Sequence, residues 1–185
     1  MMKEFSIGAL ALGATLFGAP AFAADTHLGI PGQSWEIRFD APAYNKIDEQ
    51  NLPNQYRLSG NDGRFTLSYY FEPPRCDGGM SKEAIYNCFN ASLQHNPLVV
   101  YSTERANRLE KGVAVMYMTQ ADVDGRKVSS FNVNVLFARD GKWGDLHVSY
   151  VSPQAADIQT LFKVAQSFDI VDVTPAPSST ASAPN

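Results

Sequence analysis

Two Asp-Gly pairs, Asp124-Gly125 and Asp140-Gly141, punctuate the stretch from Gly112 to Ser152, GVAVMYMTQADVDGRKVSSFNVNVLFARDGKWGDLHVSYVS. No other feature constrains the fold as tightly. Asp-Gly between alternating apolar runs marks a two-residue hairpin loop, because both residues accept positive φ at little cost. The stretch therefore reads as three antiparallel strands in a meander.

The loops also set the register. With Asp140-Gly141 as the loop, Arg139 opposes Lys142, and counting outward pairs Val135 with Leu146, Val133 with Val148 and Phe131 with Tyr150. The same count from Asp124-Gly125 adds Met118, Met116 and Ala114 to this apolar face. On the other face Asn132 meets Ser149, Asn134 meets His147 and Leu136 meets Asp145, with Tyr117, Val115 and Val113 beside them. That second face is mixed rather than polar, so part of it expects a cover.

Upstream, WEIRFD (Trp35 to Asp40) alternates as a half-buried strand does. Ala41 to Asn54 is polar, carries Pro42 and Pro53, and reads as a loop. Tyr56 to Ser59 and Arg64 to Glu72 form a second hairpin around Asn61-Asp62-Gly63, with Phe65, Leu67, Tyr69 and Phe71 inward; Pro73-Pro74 stops it. Ser81 is the N-cap of a helix running to about His95, with Ile85, Cys88, Phe89, Ser92 and Leu93 as its buried stripe. Leu98 to Leu109 is a strand. Ser152 and Pro153 open a closing helix whose apolar face is Ile158, Leu161, Phe162, Ala165 and Phe168, and Asp169 to Val173 is a last extended piece. The fold class is α+β: an antiparallel, strongly meandering sheet of about six strands with two main α-helices packed on its faces.

Met1 to Ala23 reads as a secretory signal peptide, with Lys3, an apolar run from Ile7 to Phe17 and the small-x-small site Ala21-Phe22-Ala23. Cleavage after Ala23 leaves a single domain over 24–173 and a disordered Pro/Ser/Ala tail over 174–185. The compartment is the periplasm or the medium. There Cys76 and Cys88, the only cysteines, form a disulfide. Their spacing is far from C-x-x-C, which argues against a redox pair. The run is too short for stable membrane insertion. A formal net charge of -4 without basic clusters argues against nucleic acid.

No G-x-S-x-G elbow or phosphate-binding glycine loop is present; Arg75 and Gly78-Gly79 follow a proline stop. His27 falls in mobile N-terminal chain, and His95 suits a helix C-terminus. His147 alone has company: Asp145 two residues earlier on the same face, Asn134 opposite. The pair reads either as base and orienter, or as metal ligands, or as a hydrogen-bonded strand face. Trp143, Tyr117 and Tyr70 are candidate exposed aromatics, although Trp143 also suits a hairpin cap. No catalytic residue, metal site or cofactor is assigned.

The order of strand, hairpin, helix, strand, meander and closing helix, carried by WEIRFDAP, YRLSGNDGRFTLSYYFEPP and the meander, resembles the PsbP-like fold superfamily with its periplasmic DcrB-like members. That resemblance implies an accessory or binding protein, and a Cys76–Cys88 disulfide is not a feature associated with that group. The expected function is an exported, non-catalytic binding or accessory protein acting through a sheet surface. That surface is Tyr117, Asn132, Asn134, Trp143, Asp145, His147 and Ser149, and its partner an envelope or secreted protein. One alternative is a small hydrolase or metal-dependent enzyme centred on Asp145 and His147; another is an immunity-type toxin inhibitor.

Overall fold

The computed structural model describes residues 24–77 and 79–173. The signal segment with its cleavage site, Gly78 and the tail over 174–185 lie outside the described residues. The strands are β1 (Ala24–Gly29), β2 (Trp35–Ala41), β3 (Asn45–Leu52), β4 (Gln55–Asp62), β5 (Phe65–Glu72), β6 (Val99–Arg108), β7 (Val113–Val123), β8 (Arg126–Arg139), β9 (Lys142–Val151) and β10 (Asp169–Asp172). The helices are α1 (Lys82–Leu93) and α2 (Ala155–Ser167). A seven-stranded antiparallel sheet runs in the order β3-β4-β5-β9-β8-β7-β6, and a three-stranded one in the order β1-β2-β10. The class is α+β, as expected.

The meander has the register its turns dictate, from Arg139 opposite Lys142 through Phe131 opposite Tyr150, and from Val123 opposite Arg126 through Val113 opposite Leu136. Asp124 and Asp140 sit at φ 52° and 49°, followed by Gly125 and Gly141 at 72° and 73°. Positive φ at both loop positions matches the right-handed twist of the flanking strands.

The apolar face of the large sheet is the main core. Val133, Val135, Leu146 and Val148 on it are fully buried. Over this face lie the small sheet and α2, which supply Trp35, Ile37, Phe39, Leu161 and Val164. The Trp35 ring meets Phe71 and Phe137 edge-on, with centroids 5.1 and 6.1 Å apart. Gly144 makes room for Phe137 opposite it: a Cβ there would lie 2.1 Å from the ring. The second face is covered in part by α1, whose Ile85 and Leu93 pack with Val113, Val115 and Leu136. Ser81 caps α1, its Oγ accepting from the Ala84 amide at 3.0 Å. The Cys76–Cys88 disulfide is formed and ties the turn after β5 to the middle of α1.

Three expectations need correction. The sheets hold more strands than about six, because β1 and β3 form in segments without a strand signature. β3 reads NKIDEQNL and every residue is exposed; as the outermost strand it is held by its ladder to β4 and buries no face. β1, read as mobile chain, pairs with β2, and His27 lies between Asp25 and Glu36 at 2.9 Å from each. Finally, α2 begins after Gln154, whose amide donates to Asp157 at 2.9 Å. Ser152 is not its cap: the residue sits at φ 48° and its amide still donates to Ser129 across the sheet edge.

Among the described residues no helix is long and apolar enough to cross a membrane.

Candidate functional site

β5 pairs with β9, which sets the first hairpin beside the meander. Three ladder rows therefore cross the second face. One runs Arg57, Tyr70, Asp145, Leu136, Val113; the next Ser59, Ser68, His147, Asn134, Val115; the third Asn61, Thr66, Ser149, Asn132, Tyr117. Each row goes from polar to apolar or aromatic in the direction of α1. The face is thus divided: a dry half under the helix, and a polar half on β4, β5 and β9.

All seven residues of the expected surface, Tyr117, Asn132, Asn134, Trp143, Asp145, His147 and Ser149, lie on this one face. They do not form an exposed surface. Tyr117, Asn132, Asn134, Trp143 and Ser149 are buried, while Asp145 and His147 keep partial exposure. Trp143 does not present its ring to solvent either; it sits beneath the turn before α1 and donates from Nε1 to the Gly79 carbonyl at 3.1 Å.

Two hydrogen-bond chains satisfy the buried polar groups. In the first, the Tyr117 hydroxyl donates to Asn134 Oδ1 at 3.1 Å, and Asn134 Nδ2 donates to Asp145 Oδ1 at 2.8 Å. In the second, Asn132 Nδ2 donates to Thr119 Oγ1 at 3.2 Å, and Asn132 Oδ1 lies 3.1 Å from His147 Nε2. Because that asparagine oxygen is an acceptor, the network assigns the His147 proton to Nε2. Ser149 pairs with Thr66, hydroxyl to hydroxyl, at 2.6 Å. Asp145 and His147 thus belong to separate chains, each held by its own asparagine.

Burial governs the charge of both. It pushes the Asp145 carboxyl up to about 6 against the opposing hydrogen bond from Asn134, and His147 down to about 4, so its ring is neutral near pH 7. Burial also raises the Tyr117 phenol, with the Asp145 charge adding to it.

Beside the dry half the face opens into a cavity of about 460 Å³ between α1 and strands β4, β5 and β9. Ile85, Phe89, Leu136 and Trp143 make its apolar wall, and Asp145 contributes a carboxylate to its lining. At the polar rim, Arg57 lies over the Tyr70 ring with 5.4 Å to the centroid, and Arg75 is ion-paired with Glu72. Ser92, expected on the buried stripe of α1, is exposed and lines this opening. Arg57, Glu72 and Arg75 were not legible as site residues, since nothing local announces that β5 lies against β9. Among the described residues no group of three or more His, Cys, Asp or Glu side chains is placed to hold a metal ion.

No protein-family model matches the chain, PsbP-like or otherwise. No curated protein matches it either. One solved structure similar to it is that of LpqN, a protein involved in cell envelope biogenesis of Mycobacterium tuberculosis, with a TM-score of 0.46 and 13% sequence identity. The alignment covers 80% of this chain and 90% of that one. A likeness of that size carries no functional meaning on its own.

Proposed function

We propose that the protein is an exported, non-catalytic binding or accessory protein that works through the cavity between α1 and the polar half of the large sheet. The observation that carries this reading is the combination of an apolar wall with a few convergent polar groups in a concavity of about 460 Å³, the usual make-up of a ligand site. The export reading rests on the signal-like N-terminus together with the Cys76–Cys88 disulfide, a bond that persists in oxidising compartments. The enzyme reading centred on Asp145 and His147 is disfavoured. A catalytic base needs its orienting partner in hydrogen-bond reach, and here each side chain is bonded to a different asparagine.

Ser92→Trp tests the reading, because it fills the opening from an exposed helix position without touching the core. Wild type and variant, purified from the exporting cell, are compared by native mass spectrometry and by co-purifying partners. A bound mass or partner present with wild type and missing from Ser92→Trp supports the site. Identical profiles discard it.

A further inference from the structure

Two carboxylates line the cavity, Glu72 and Asp145, and Glu72 is already ion-paired with Arg75. Asp145 Oδ1 accepts from Asn134 at 2.8 Å, whereas no described residue donates a hydrogen bond to Oδ2. Of the two guanidiniums in the lining, Arg75 is ion-paired with Glu72 and from there only partly offsets the cost of ionising Asp145, and Arg57 on β4 lies over the Tyr70 ring. Three aromatic residues, Tyr70, Phe89 and Trp143, line the same cavity with Ile85 and Leu136; one face of Tyr70 is covered by Arg57, which leaves Phe89 and Trp143 for a ligand. The electron-rich faces of aromatic rings attract cations, and an organic cation carries an apolar body that such a wall can bury.

We infer that this cavity takes a small organic ammonium compound, with the ammonium on Asp145 and the apolar body against Phe89, Trp143 and Ile85. The inference rests on the binding reading above and names the ligand class for the same site. A partly desolvated carboxylate with an open acceptor is costly to hold ionised, and a donor cation removes that cost. The raised Asp145 pKa reports the same unfavourable ionisation. An anion is disfavoured at this position, because its charge would approach Asp145 in a low-dielectric wall while the arginines keep their present partners.

The test uses three probes that share a phenylethyl frame and differ in the charged groups on it: 2-phenylethylamine with an ammonium, L-phenylalanine with an ammonium and a carboxylate, and 3-phenylpropionate with a carboxylate. Each is titrated calorimetrically into the purified full protein at neutral pH. The expected order puts the amine about tenfold or more ahead of the acid, the range for a hydrogen bond to a charged group. L-phenylalanine, which carries the same ammonium beside a carboxylate, binds more weakly than the amine and more tightly than the acid. Asp145→Asn lowers amine affinity by a similar factor, and Ser92→Trp removes it while leaving the buried polar chains intact. Should Asp145→Asn fail to fold, Ser92→Trp and the probe order still decide. Tighter binding of 3-phenylpropionate than of the amine overturns the ammonium inference and leaves the cavity reading standing. Binding of none of the probes also overturns it, and the Ser92→Trp profile from cells then judges the cavity reading separately.

Discussion

Asp145 and His147 sit two residues apart on β9 and titrate in opposite senses. Asp145 has a folded pKa of about 6 against an ordinary value of 3.8. Its protonated form therefore stabilises the fold below the unfolded value, and that contribution is lost as pH rises through about 6. His147 has a folded pKa of about 4 against 6.5, so its neutral form stabilises the fold above 6.5, and this is lost as pH falls toward about 4. The two windows overlap and largely cancel. Asp145→Asn should accordingly raise stability at pH 7 by roughly 1–2 kcal/mol, since it keeps an oxygen for Asn134 and removes the ionised form. The same variant should expose the His147 slope: its melting temperature should fall more steeply than wild type from pH 6.5 toward pH 4. Thermal melts across that range decide, and parallel curves for the two proteins would sink the assignment. Asn134→Ala should cost roughly 2–4 kcal/mol, because it strands both Asp145 Oδ1 and the Tyr117 hydroxyl. A loss below about 1 kcal/mol in chemical denaturation would mean that solvent reaches these groups.

The helices depend on different things. α2 is held by packing: Leu161 and Val164 have no exposed area and lie in the main core. Leu161→Ala should therefore cost about 2–5 kcal/mol in equilibrium unfolding, and a cost under about 1 kcal/mol would contradict its burial against the apolar face. α1 buries only Ile85 and Leu93 fully, so its hold on the sheet is thinner. The Cys76–Cys88 bond compensates by tethering α1 at its middle. Replacing both cysteines by serine should lower stability by roughly 2–3 kcal/mol. Amide exchange should speed up in α1 and leave β8 and β9 protected. Uniform acceleration over the whole chain would show that the bond supports the global fold rather than this helix. Since Cys88 also lines the cavity, loosening α1 should weaken ligand binding in the same variant.

The whole molecule divides into what local chemistry specifies and what distant pairing specifies. Turn residues and the periods of strand and helix act over a few neighbours, and they accounted for the meander register, the β4–β5 hairpin, the inward faces, the positions of both helices and the Ser81 cap of α1, though not the start of α2. They also put Tyr117, Asn132, Asn134, Trp143, Asp145, His147 and Ser149 on one face, because opposed residues in an antiparallel ladder share a side. β1 and β3 escaped that logic, since a strand that buries little has no period to read and is set by its neighbour's open edge. The cavity escaped it too. It exists because β5 lies against β9, bringing Arg57, Tyr70 and Glu72 to Asp145, and because a disulfide-tethered helix covers only half of the face. Such contacts join residues more than seventy positions apart, Tyr70 and Asp145 among them, and each strand offers the same ladder groups to any partner. Which edge it meets is decided by the shapes that close the core together, as where Phe137 fits over Gly144 and Trp35 over Phe71. Residue order therefore determined the faces and what stands on them. Assembly of those faces in three dimensions decided which residues are buried and which line an opening, because burial depends on what arrives from elsewhere in the chain.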